Sequence, residues 1–74
     1  MNKTNEINLL DKPIKDQLLA VENILNNIDS SKSIEILTKE ELLVKYIPTK
    51  AMEKKIKIKF KLKKDIWHIQ LEKE

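Results

Sequence analysis

The stretch from residue 54 to 74 contains the pattern that most limits what this chain can form. Apolar residues alternate with lysines over residues 56–63, and a second alternation follows over residues 66–72. A period of two is typical of a β-strand with one buried face. If Lys64 and Asp65 form a two-residue turn, the two strands pair with their apolar side chains on one face. The sequence therefore predicts a C-terminal β-hairpin.

The turn also sets the register of this hairpin. On the apolar face the expected pairs are Leu62 with Trp67, Phe60 with Ile69, and Ile58 with Leu71. On the other face they are Lys61 with His68, Lys59 with Gln70, Lys57 with Glu72, and Lys55 with Glu74. The chain has no glycine, and Lys64-Asp65 lacks the residues usual at positive φ, so a longer loop is the alternative.

Length and cysteine content restrict the class of protein. The 74 residues suffice for one domain with a modest core. Without cysteine the chain can form neither a disulfide nor a zinc site that uses thiolates, so we expect a cytoplasmic protein. Neither a signal-peptide core nor a run of about 20 apolar residues is present, so no membrane partner is expected.

The positive charge is concentrated in the predicted hairpin. The net charge is +3, all fifteen basic residues are lysine, and seven of them lie within residues 54–64. Such a density of like charge is destabilising unless an anionic partner relieves it. Because arginine is the usual reader of guanine, its absence favours contacts that do not depend on base sequence. The alternative is that these lysines only solvate a strand and protect the sheet edge from aggregation.

The N-terminal half predicts an arm and an amphipathic helix. Residues 1–12 are polar and predict a flexible arm. Asp11 as N-cap and Pro13 in the first turn favour a helix over residues 12–28, and Leu19 and Ile24 widen its apolar face. The main apolar positions repeat at spacings of four and three, which suits either the domain's own core or a dimer seam. These candidate dimerisation residues are Ile14, Leu18, Val21, Leu25 and Ile28.

The central segment predicts a short strand and two short helices. Ile34–Ile36 alternates briefly and can form a third strand beside the hairpin. Thr38 and Glu41 have the spacing of a capping box, which predicts a helix from Thr38 to Tyr46 that ends before Pro48. Thr49 can then cap a further short helix over residues 50–55.

The resulting order is helix, short strand, two helices joined by a turn, and a hairpin. The segment ILTKEELLVKYIPTKAMEKKI, residues 36–56, resembles the small excisionase-like and MerR-like winged-helix proteins of phages and other mobile elements. The resemblance implies an α+β fold in which residues 13–74 form one winged-helix-like domain with a helix-turn-helix unit. It also implies a DNA-binding regulator or excision-type architectural factor. The implied DNA-binding residues are Thr49, Lys50, Glu53, Lys54, Lys55, Lys57, Lys59, Lys61, Lys63 and Lys64.

Residues that could support catalysis or hold a metal are scarce. His68 is the only histidine, and the chain has neither a thiol nucleophile nor a glycine loop for phosphate. We therefore expect no enzyme activity, no cofactor and no metal site. Two function classes remain. The first is binding of double-stranded DNA, by a monomer or a homodimer. The second is a protein-binding module, such as a small phage inhibitor or antitoxin-like protein, whose lysine-rich hairpin docks on an acidic protein partner or whose open strand edge extends a partner's sheet.

Overall fold

The computed structural model describes residues 4–29 and 32–73, apart from the side chain of Thr4. Within these residues, two helices and four strands give a small α+β domain, which confirms the expected class. In chain order the elements are β1 (Thr4–Asn8), α1 (Ile14–Asn27), β2 (Ser33–Thr38), α2 (Glu41–Glu53), β3 (Ile56–Lys63) and β4 (Ile66–Lys73).

The four strands form one sheet in the order β1-β2-β4-β3. β1 and β2 are parallel and are joined by α1, whereas β4 runs antiparallel to both β2 and β3. Both helices contribute buried residues to one core together with β2 and β4, so they cover the same face of the sheet. This order makes β3 an edge strand and leaves the other sheet face without a helix among the described residues.

The hairpin has the predicted register. Leu62 pairs with Trp67 and Lys61 with His68, and the alternation continues to Lys57 and Glu72. The turn has two residues, with φ of 49° at Lys64 and 65° at Asp65, as a type I′ turn requires. The alternative of a longer loop is therefore not observed. The expected pair of Lys55 with Glu74 lies outside the described residues.

Residues 4–8 of the segment predicted to be a flexible arm form a strand of the sheet. Thr4–Asn8 pairs with β2, and Leu9 is fully buried and donates its N–H to the Leu37 carbonyl at 2.9 Å. The prediction of an arm was wrong here because Ile7 and Leu9 alternate over too few residues to stand out from the polar residues around them. Residues 1–3 of that arm lie outside the described residues.

Helix α1 forms as predicted, but its apolar seam faces the domain's own core. Val21, Leu25 and Ile28 are at most 4% exposed, and Ile14 and Leu18 pack against the same cluster from positions of partial burial. Side chains already buried in the monomer cannot form a dimer seam, so Val21, Leu25 and Ile28 are corrected from dimerisation residues to core residues. Ile14 and Leu18 lie at the border of the same core and keep part of their surface exposed. The N-cap is Pro13, not Asp11, and no side chain caps the helix.

Helix α2 is continuous from Glu41 to Glu53 and contains Pro48. The predicted end before Pro48 and the separate helix after Thr49 were therefore wrong. An interior proline costs roughly 3 kcal/mol, but fully burying Leu43 or Ile47 contributes about 1.5–3 kcal/mol each. Both side chains are fully buried. Packing on one face thus holds the helix together across the proline.

Thr38 joins two elements instead of capping α2. It is the last residue of β2, and its hydroxyl donates to Oε1 of Gln17 at 2.6 Å and accepts the Glu40 N–H at 3.1 Å. Gln17 in turn donates from Nε2 to the Lys12 carbonyl at 2.8 Å. Thr38 and Gln17 are at most 2% exposed, so this buried network fixes α1 against the end of β2.

Candidate nucleic-acid interface

Four lysines form the most distinctive surface of the domain, which we call the lysine row. They lie on the sheet face opposite the helices, along the edge strand β3, and all are exposed. Alternate residues of a strand are about 6.5 Å apart, so the row is a regular linear array of positive charge. Its members are Lys57, Lys59, Lys61 and Lys63.

The neighbouring strand offers this row little compensating charge. Lys59 lies opposite Gln70 and Lys61 opposite His68, and only Lys57 lies opposite an acid, Glu72. Within residues 4–29 and 32–73, Lys59, Lys61 and Lys63 take part in no ion pair. The middle and far end of the row therefore present uncompensated charge to solvent.

Lysines in the adjoining turns extend the row at both ends. Lys54 and Lys55 are exposed between α2 and β3, and Lys55 has a φ of 57°. At the other end Lys64 is exposed in the hairpin turn. The seven predicted lysines from Lys54 to Lys64 are thus all exposed, but Lys54 lies beside Lys50 and Glu53 at the end of the helical layer.

Glu35 is the acid nearest the centre of this face, and it contacts His68 instead of the lysine row. Its Oε2 lies 3.3 Å from Nδ1 of His68, and both side chains are partly buried. The two residues line a shallow cleft of about 440 Å³ together with Lys59, Lys61 and Gln70. Local patterns in the sequence did not reveal this contact, because it depends on the pairing of β2 with β4.

Comparisons with family models, characterised proteins and solved structures found no match.

The other predicted DNA-binding residues lie on the helical layer. Thr49 is exposed in the second half of α2, and Nζ of Lys50 lies 3.8 Å from Oε2 of Glu53 and 5.9 Å from the centroid of the Tyr46 ring. No separate helix begins at Thr49, because these positions continue α2. Of the predicted set, the structure brings together the lysines of β3 on one sheet face, whereas Lys50, Glu53 and Lys54 line a pocket beside the helices.

The helix-facing side of β3 carries apolar residues that remain partly uncovered. Phe60 is 39% exposed and Leu62 is 54% exposed. The Phe60 ring meets Trp67 edge to face, with ring centroids 6.4 Å apart. The end of the hairpin thus presents lysines on one face and apolar side chains on the other.

The described part of the chain contains no group of three or more His, Asp and Glu side chains that could hold a metal ion. Its helices include none with the length and apolar character needed to cross a membrane.

Proposed function

We propose that this protein is a non-enzymatic DNA-binding protein whose lysine row contacts the phosphates of double-stranded DNA. Lys55 and Lys64 extend the contact at its two ends. One observation carries the proposal: Lys59, Lys61 and Lys63 lie side by side on an edge strand with no acidic partner among the described residues.

The energetic argument starts from like-charge repulsion. Neighbouring lysines on one strand face repel each other, and this repulsion destabilises the folded state. A phosphate backbone replaces the repulsion with attraction and releases counterions from the DNA, which drives association at low salt. A linear row of ammonium groups suits a linear chain of phosphates, since each group is a compact donor of hydrogen bonds.

The same chemistry predicts binding that depends little on base sequence. Lysine contacts to phosphate position a protein on DNA without reading bases. Stacking on single-stranded bases needs aromatic rings beside the basic groups, but Phe60 and Trp67 lie on the other face of the hairpin. Duplex DNA is therefore the expected form of the ligand.

The proposed DNA contact uses the hairpin without a helix-turn-helix unit, because the two helices expected to form that unit are one continuous α2. Base reading by Thr49, Lys50 and Glu53 is not part of the proposal, because they belong to a continuous α2 and Lys50 already contacts Glu53. A role in phage or mobile-element regulation stays a prediction from the resemblance of residues 36–56.

The test is a titration of fluorescent duplex DNA at several salt concentrations. Wild type should bind with a dissociation constant on the order of 10⁻⁴ to 10⁻⁶ M near physiological salt, as non-specific binders do. The triple variant Lys59→Ala, Lys61→Ala, Lys63→Ala should bind more weakly on every sequence. Its slope of log affinity against log salt should be smaller in magnitude by about 2.7, at roughly 0.9 for each lost phosphate contact.

A matched control removes the same charge elsewhere. Lys12, Lys39 and Lys45 are exposed and lie outside the hairpin and its flanking turns. Their replacement by alanine lowers the net charge equally and should leave most of the salt slope in place. If both triple variants lose the same slope, binding follows net charge and the lysine row is not the site.

A specific observation also favours a second function, docking of an acidic protein. Among the described residues no strand pairs with the outer edge of β3, so its backbone groups can pair with an added strand. A segment with alternating acidic and apolar residues would meet the lysine row on one face and Phe60 and Leu62 on the other. Wild type that shows no salt-sensitive DNA binding would make this the better assignment.

A further inference from the structure

A groove between the two helices contains two of the most exposed large apolar side chains of the domain. Leu19 is 58% exposed and Leu42 is 55% exposed. The groove encloses about 340 Å³ and is lined by Lys15, Leu18, Leu19, Glu22, Leu42 and Tyr46. Exposed apolar residues that cluster in this way are typical of an interaction surface, whereas single ones are ordinary.

The charges at this groove balance each other. Lys15 and Glu22 are both exposed on α1, each about one helical turn from Leu18 and Leu19. The groove therefore carries one positive and one negative group, although the chain as a whole carries +3. An acidic partner attracted to the lysine row gains nothing from this neutral groove, so a different occupant is needed.

A second copy of the chain fits this arrangement. When two α1 helices pack antiparallel about the midpoint between Leu18 and Leu19, Lys15 of one protomer lies opposite Glu22 of its partner. The two-fold axis repeats the contact, so both charge pairs form at once. The same packing brings Leu19 of each protomer into the apolar groove of the other.

We propose that the protein forms a two-fold homodimer through the groove between α1 and α2, with Leu19 and Leu42 at its centre. The surface shares only the partly buried Leu18 with the heptad seam, whose residues Val21, Leu25 and Ile28 are buried in the monomer. It lies on the helical layer, whereas the lysine row lies on the opposite face of the sheet. The dimer and the DNA contact therefore use different surfaces, and neither proposal depends on the other.

Sedimentation equilibrium of the full chain gives the first test. Wild type should show a reversible monomer–dimer equilibrium at protein concentrations that reach about 100 μM. Leu19→Glu should be monomeric over the same range of concentrations. Met52→Glu is the matched control, because Met52 is 79% exposed on α2 but does not line the groove. It should dimerise like wild type. Circular dichroism should show that both variants are folded, as expected for exposed positions.

Paired charge reversals give a second test that does not disturb the apolar centre. In a dimer of the Lys15→Glu variant, an acid at position 15 of one protomer lies opposite the acid at position 22 of its partner. In a dimer of the Glu22→Lys variant, two lysines lie opposite each other in the same way, so two copies of either variant should repel each other. Each should raise the dimer dissociation constant about tenfold or more, because both symmetric contacts change sign. Mixed in equal amounts, the two variants should form a heterodimer at least as tight as the wild-type dimer.

Three results would overturn the proposal. One is wild type that stays monomeric over the whole concentration range, which would leave the groove to another kind of partner. Another is a Leu19→Glu variant that dimerises as wild type does. The third is a mixture of Lys15→Glu and Glu22→Lys that forms no heterodimer.

Discussion

Replacing Pro48 with alanine tests the continuous α2 directly. Pro48 is the eighth residue of the helix and has no N–H, so the Val44 carbonyl lacks its usual partner four residues later. Alanine restores that donor and adopts helical geometry without a steric clash. If α2 is continuous in solution, Pro48→Ala should stabilise the protein.

The size of the effect follows from two opposing contributions. Proline is about 3 kcal/mol less favourable than alanine inside a helix. Pro48 is also partly buried, so the loss of its ring lowers the stability by about 0.8 kcal/mol for each buried methylene that is removed. The net gain should be about 1–2 kcal/mol. For a domain of this size it should raise the melting temperature by roughly 5–15 °C, at about 4–8 °C per kcal/mol.

Urea unfolding followed by circular dichroism measures the gain, and amide hydrogen exchange shows its origin. The new amide at position 48 should exchange slowly, since it donates to the Val44 carbonyl. Thr49→Ala is the matched control, because this exposed neighbour already has its N–H and should gain only a few tenths of a kcal/mol. Unchanged or reduced stability of Pro48→Ala, together with fast exchange at position 48, would show that the helix breaks there as the sequence predicted.

Three further substitutions test other parts of the fold. Lys64→Asn should stabilise the hairpin by about 0.5–1 kcal/mol, because asparagine tolerates the left-handed conformation better than lysine. Lys64→Gln removes the same charge and should gain less stability, as measured by thermal unfolding. Thr38→Val should lower the free energy of unfolding in urea by about 1–3 kcal/mol, since it leaves the buried Gln17 without the hydrogen bond from Thr38. A decrease below 0.5 kcal/mol, on the order of a surface substitution, would contradict the buried network. Leu9→Ala should cost roughly 2–5 kcal/mol, whereas a flexible arm at this position predicts no change.

The hairpin could be predicted in full because its information is local. Strict alternation on both sides of two turn residues leaves one register that puts Phe60, Leu62 and Trp67 on the same face, and this register was confirmed. The third strand at Ile34–Ile36 was confirmed for the same reason, as part of β2. The lysine row was therefore identified from the sequence alone, except for its position at the sheet edge.

The remaining features depend on contacts between distant parts of the chain. Thr38 and Glu41 fit a capping box, but a hydrogen bond to Gln17, 21 residues away, holds Thr38 in a different role. The local effect of Pro48 was outweighed by burial of Leu43 and Ile47, which only the packed domain reveals. The apolar spacing of α1 indicated a buried face but did not identify the surface that buries it.

The strand order has a consequence for how the chain folds. β4 lies between β2 and β3, so β3 has no hydrogen-bonding neighbour until β4 has been synthesised and inserted. During that interval β3 would be an unpaired strand with four apolar residues, the kind of segment that nucleates aggregation. The four lysines that alternate with them keep such segments apart by repulsion. The spacing that presents positive charge to a ligand in the finished domain thus also protects the nascent chain before its sheet closes.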